Sequence, residues 1–138
     1  MNHWLIKSEP SDYSFDDLAR DKRTVWEGIS NNQALMFLRE MKKGDRAFFY
    51  HTGGEKAIVG IASIVRGPYP DPNADDAKRV VVDVGPLAKL SKPVSLSTIK
   101  SDEAFAEFLL VRNSRLSVIP VPPPLWKKLC AMGGVKAE

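Results

Sequence analysis

Between residues 31 and 65 the apolar pattern of the chain changes period, and this constrains the fold more than any other sequence feature. After Asn31 and Asn32, the residues Ala34, Phe37, Leu38 and Met41 recur at helical spacing, and Lys42, Lys43 and Gly44 supply a C-terminal signature. Residues 47–51 and 57–65 then become aromatic and β-branched runs, joined by Thr52-Gly53-Gly54-Glu55, a hairpin signal. A helix followed by a hairpin breaks any strand-helix-strand rhythm.

The remaining segments fit around this pair. Residues 4–6 form a short strand that ends before Pro10, whose ring disfavours helix in the preceding residue. Ser14 caps a helix over residues 15–19, with Asp17 at its third position. Residues 66–77 hold Gly67, Pro68, Pro70, Pro72 and Asn73 and read as an exposed loop. A third β run covers residues 80–84, is broken at Gly85-Pro86 and resumes over 87–90, and residues 93–96 read as an edge segment. Ser101, followed by Asp102 and Glu103, starts a helix through Leu110, and residues 117–121 are a last strand. Three prolines then feed a closing helix over residues 125–132, stopped by Gly133-Gly134. Five or six strands with helices between them argue against a doubly wound sheet. The expected class is α+β, a small bent or closed barrel with peripheral helices.

The 138 residues fit a single domain, 1–138, large enough for a real core. An apolar fraction of 43% and a mean hydropathy of -0.22 are those of a soluble globular protein. No apolar run approaches the ~20 residues of a membrane span, and the N-terminus lacks a signal-peptide core, so a cytoplasmic location, no membrane partner and a monomer are expected. The net charge of +3 is compatible with a polyanionic partner and demands none. Cys130 falls at an apolar helical position and is read as packing.

Enzyme signatures are missing from the sequence. His3 and His51 with one distant cysteine do not make a zinc site, and there is no nucleophile elbow, Walker A loop or dinucleotide fingerprint. No cofactor and no metal are expected. Glu9 and Glu27 could pair as catalytic carboxylates if their loops meet, but loop acids are commonplace.

Base binding has a stronger physical case. A base offers two π-faces and a polar edge, so its pocket needs aromatic or guanidinium planes with a few fixed donors and acceptors. Trp26 and Tyr50 can supply planes, and Arg115 can supply a plane or a bidentate donor. Lys7, Ser8, Asn31, His51 and Ser117 can supply polar contacts. Against this stand simpler readings. Trp4 and Phe48 alternate along strands as core residues do, Trp126 reads as a packing anchor, and His51 alone would suit a hydrogen-bonded strand residue. Trp26, outside any periodic segment, is the tryptophan least suited to the core.

Four segments also carry a family resemblance. Trp4-Leu5, Lys7 and Glu9-Pro10 open the chain, and Trp26, Gly28 and Asn31 follow. Phe49-Tyr50-His51 ends a strand, and Arg115-Leu116-Ser117-Val118 comes near the C-terminus. In this order they resemble the EVE domain, a PUA-like family related to YTH and ASCH domains. The resemblance implies a PUA-like barrel and a cleft in which Lys7, Ser8, Glu9, Pro10, Trp26, Gly28, Asn31, Tyr50, His51, Arg115, Leu116 and Ser117 hold one base of DNA or RNA, with a modified base expected. Where the family commonly has an arginine before that asparagine and an Arg-Asn pair in the helix, this chain has Ser30, Leu35 and Met36, which implies few phosphate contacts. The expected function is a non-catalytic nucleic-acid-binding domain. The alternatives are an ASCH-like hydrolase of modified nucleosides or RNA, and a protein-interaction module.

Overall fold

The computed structural model describes residues 1–137. Along the chain lie β1 (His3–Ser8), α1 (Phe15–Asp21), β2 (Thr24–Trp26), α2 (Asn32–Glu40), β3 (Arg46–His51), β4 (Ala57–Pro70), β5 (Val80–Ser95), α3 (Leu96–Lys100), a 3-10 turn (Glu103–Phe105), α4 (Leu109–Arg112), β6 (Val118–Pro120) and α5 (Pro123–Met132). The strands form one sheet in the order β2-β5-β4-β3-β1-β6, curled into the half-barrel of a small PUA-like α+β fold. β1 and β3 run parallel, and every other pairing is antiparallel.

Local chemistry explains the helices. Ser14 Oγ accepts the Asp17 N–H at 3.0 Å while the Asp17 carboxylate accepts the Ser14 N–H at 2.9 Å, a complete capping box. Asn31 caps α2 by accepting the Ala34 N–H at 3.0 Å. Pro123 and Pro124 open α5, where a missing N–H leaves no helical bond unmade.

Between sheet and helices the core is aromatic. Phe48, Phe49 and Phe105 are fully buried, and Trp126 stacks on Phe48 with centroids 4.0 Å apart, as its packing-anchor reading expects. Trp4 is also core; its indole N–H donates to Asp45 at 3.0 Å, and the same carboxylate accepts the backbone N–H groups of Asn2 and Lys42. Among the described residues no helix is long and apolar enough to cross a membrane.

Four local expectations are corrected. The loop expected from residue 66 begins only after Pro70, because β4 continues through Arg66 and Tyr69 by pairing with β5, with register shifts absorbing Gly67 and Pro68. β5 likewise does not break at Gly85-Pro86; Pro86 sits opposite Ala62 at another register shift. The edge segment at 93–96 is the end of β5 followed by α3, which Ser95 caps by accepting the Thr98 N–H. The single helix expected from Ser101 to Leu110 is instead the 3-10 turn and the one-turn α4. β2 was not expected at all.

Candidate functional site

Because β1 and β3 are parallel and in register, both strands stop at one level, with Lys7 beside Tyr50 and Ser8 beside His51. The chain leaves β1 through Glu9-Pro10 in a tight turn whose Glu9 carbonyl accepts the N–H groups of Asp12 and Tyr13, each at 2.9 Å. Facing this turn is the end of β2, where Trp26-Glu27-Gly28 departs from the sheet. A cleft of about 370 Å³ lies between the two segments, walled by Lys7, Ser8, Glu9, Asp12 and Tyr13 on one side and by Thr24, Val25, Trp26, Glu27 and Ile29 on the other.

Trp26 is 8% exposed. β2 pairs Trp26 with Val82 and turns the indole inward, edge-on to Phe49 at 5.5 Å, so the ring is part of the core and part of the cleft wall. This corrects the expectation of a tryptophan outside the packing: the sequence gives no warning of a three-residue strand that gains its hydrogen bonds from a distant partner. Gly28 follows at φ +80°, a backbone conformation that favours glycine.

Lys7 is the cleft's one cation. Its ammonium donates to the Ser114 carbonyl at 2.9 Å and lies 5.7 Å from the centroid of Tyr50. Its backbone N–H donates to the Ser117 carbonyl at 3.1 Å, which ties the cleft to the segment containing Arg115. Burial pushes the Lys7 pKa below its ordinary value. The acidic residues Glu9, Asp12 and Glu27 also line the cleft.

Several expected site residues have structural partners. Both His51 ring nitrogens are engaged: Nε2 accepts the Phe15 N–H at 3.0 Å, which leaves the proton on Nδ1 to donate to Glu55 at 2.7 Å. Glu9 accepts from Ser11 Oγ at 3.1 Å and Thr52 Oγ1 at 3.2 Å, bracing the turn against the β3–β4 hairpin. The approach is close enough that a Cβ on Gly53 would sit 2.5 Å from Glu9 Oε2. Asn31 is exposed and its side chain is the α2 cap. Tyr50 is buried beneath Lys7, and burial pushes its phenol pKa up. Leu116 is core, Ser117 is half-buried, and Pro10 is half-buried in the turn. Arg115 is exposed. The cleft lining thus brings together Lys7, Ser8, Glu9 and Trp26, whereas Tyr50, His51, Asn31 and Arg115 lie outside it.

The sequence reading missed Asp12, Tyr13, Thr24, Val25 and Ile29. A signal existed for Tyr13, an aromatic residue three positions after Glu9-Pro10 in the same turn. Its hydroxyl donates to Asp21 at 3.0 Å, which fixes the ring at the rim. A larger cavity, about 470 Å³, lies at the opposite end of β1 against His3, Trp4 and Phe108 and holds none of the expected site residues.

The EVE domain family matches residues 2–132. The chain belongs to the EVE family. Among EVE relatives, thymocyte nuclear protein 1 from Gallus gallus is 35% identical over 86% of this chain and 63% of its own, and the Homo sapiens protein is 36% identical over 87% and 68%. The chain therefore spans about two thirds of the length of these relatives. Of solved structures, the NMR structure of Rpa0253 from Rhodopseudomonas palustris superposes with a TM-score of 0.93 at 42% identity, covering 97% of this chain and 94% of that one. Human THYN1 protein in complex with 5-methylcytosine-containing DNA superposes at 0.86, with 30% identity over 96% and 98% of the two chains. An ASCH protein from Zymomonas mobilis, at 12% identity and a TM-score of 0.56, shares the fold alone, with 95% of each chain covered.

Proposed function

We propose that this EVE domain is a non-catalytic reader that binds nucleic acid by taking a single modified base into the cleft between the Lys7–Tyr13 turn and the end of β2. The observation that carries the reading is the likeness to human THYN1, which was solved with 5-methylcytosine-containing DNA. The cleft chemistry supports it independently. A lining with one amine and the exposed acids Asp12 and Glu27 disfavours phosphate but suits a base edge that carries both donors and acceptors. Cytosine is such a base: its exocyclic amine donates to a carboxylate, and Lys7 can donate to its ring acceptors. Trp26 supplies the apolar wall. Stacking of one base is worth ~1–3 kcal/mol, and together with the burial and hydrogen bonds of its edge the expected affinity is roughly micromolar. One methyl group adds ~0.8 kcal/mol by burial, about fourfold.

The test is a panel of cytosine, 5-methylcytosine and other modified nucleosides, followed by calorimetry, with products sought by mass spectrometry. Saturable binding of a modified nucleoside without turnover is the expected result. Multiple-turnover product formation that disappears in Glu9→Gln would replace the reader with a hydrolase.

A further inference from the structure

The cleft's three acids leave open how the domain engages a nucleic-acid backbone, and Ser30 before α2, with Leu35 buried and Met36 exposed within it, adds no cation. The neighbouring sheet face offers an answer. Val25, in the cleft wall, lies directly opposite Asp83 on β5, and Asp83 lies directly opposite Arg66 on β4. Directly opposed residues project to the same face, so these three side chains form a row running out of the cleft across the outer surface. Trp26 and its partner Val82 point the other way, into the core. Two strand spacings separate Val25 from Arg66, roughly 10 Å.

Asp83 organises this row. One of its oxygens accepts Arg23 Nη2 at 2.7 Å and Arg23 Nε at 3.2 Å, and the other accepts the Tyr69 hydroxyl. Burial raises the Asp83 pKa, but the bonds from Tyr69 and Arg23 outweigh it and hold the carboxyl below its ordinary range. Arg66 lies flat over Tyr69, 4.0 Å from the ring centroid, and is exposed. The Arg23 side chain, although paired, is 55% exposed and keeps its Nη1 donors free of Asp83. Lys22 is exposed next to it. Two arginines against one buried carboxylate leave a net positive charge in this row, and both guanidinium groups are held in place before any ligand arrives.

We propose that Arg23 and Arg66 form a phosphate-binding row that receives the backbone of the strand whose base occupies the cleft. The proposal rests on the base-binding reading and assigns its backbone contacts to β4 and the start of β2 rather than to α2. Guanidinium forks pair bidentately with phosphate oxygens, which a solvated lysine patch does not do. The row carries no base-edge contacts, so its contribution is independent of sequence.

Arg66→Ala separates this proposal from the base-binding reading, because Arg66 is outside the cleft lining and its exposed guanidinium rests on the Tyr69 ring. Lys127→Ala, at an exposed position of α5, removes the same charge elsewhere and controls for net charge. Binding of a single-stranded oligonucleotide containing 5-methylcytosine is measured across a salt series, and binding of the 5-methylcytosine nucleoside is measured in parallel. Arg66→Ala is expected to weaken oligonucleotide binding, lower the slope of log affinity against log salt by about 1, and leave nucleoside binding unchanged. Arg66→Lys should restore much of the slope, and Lys127→Ala should not alter it. An Arg66→Ala slope equal to wild type, or an equal loss in Lys127→Ala, overturns the row while the cleft stands. A wild-type protein that binds neither probe overturns both.

Discussion

The two ends of β1 are made from similar residue types, yet they differ in what their polar atoms do. At the Trp4 end, the indole N–H, the backbone of Asn2 and the backbone of Lys42 all converge on one buried carboxylate, Asp45. All three of these donors are satisfied by that one side chain, and the aromatic rings of Phe48 and Trp126 stack on one another. At the Lys7 end, the amine has one protein acceptor, and the carboxylates of Asp12 and Glu27 are exposed on the cleft wall. Aromatic content does not distinguish core from site, since both ends are rich in it. The distinction lies in the charged groups: the carboxylate at the Trp4 end is buried and fully engaged, whereas those of Asp12 and Glu27 at the Lys7 end face solvent.

The largest expected effect tests the closed end. Trp126→Ala should lower unfolding free energy in urea by about 3–5 kcal/mol through loss of the stack on Phe48, while a variant that stays folded keeps its nucleoside affinity. A loss below about 1 kcal/mol would mean that Trp126 is not an anchor and would remove the contrast between the two ends.

Trp26 sharpens the comparison because it belongs to both. Trp26→Ala should weaken nucleoside binding by ~1–3 kcal/mol and also lower thermal stability, since the ring packs on Phe49. Trp26→Phe should recover much of both. Equal nucleoside affinity in wild type and Trp26→Ala, measured at a temperature where both are folded, would make this residue core only.

The smallest effect concerns Cys130, on the helix that closes the packed end. Burial pushes its thiol pKa up to about 11 from the ordinary 9.0. The folded chain therefore holds this proton where the unfolded chain has lost it, so stability falls as pH rises from about 9 to about 11 and is unaffected below. Removing the thiol with Cys130→Ala should flatten that slope in alkaline denaturation curves. A slope unchanged by the substitution would mean that other groups cause it.

Much of this was legible in the sequence where the deciding interactions are local. The Ser14 and Asn31 caps, the β3–β4 hairpin and the proline-led α5 were each readable because the residues that make them are within a few positions of one another. Elements fixed by distant partners were not. β2 is three residues long and exists because β5 offers it hydrogen bonds, and β4 runs through Gly67 and Pro68 because β5 pairs beyond them. Of the residues in the four family segments, Lys7, Ser8, Glu9 and Trp26 line one cleft. Those segments could not show that His51 spends both nitrogens on Phe15 and Glu55, since neither partner lies in one of the four.

The position of β1 has a kinetic consequence. This first strand sits between β3 and β6, so it pairs with residues 46–51 on one side and with residues 118–120 on the other. The backbone N–H of Lys7 closes onto Ser117, across almost the whole length of the chain. Such distant contacts are slow to form, because loop closure must precede them. During synthesis the opening segment waits until β6 has emerged before Lys7 is locked in place. On the proposed reading the cleft is therefore completed late in folding, and a ligand that grips Lys7 would also resist the peeling away of the last strand.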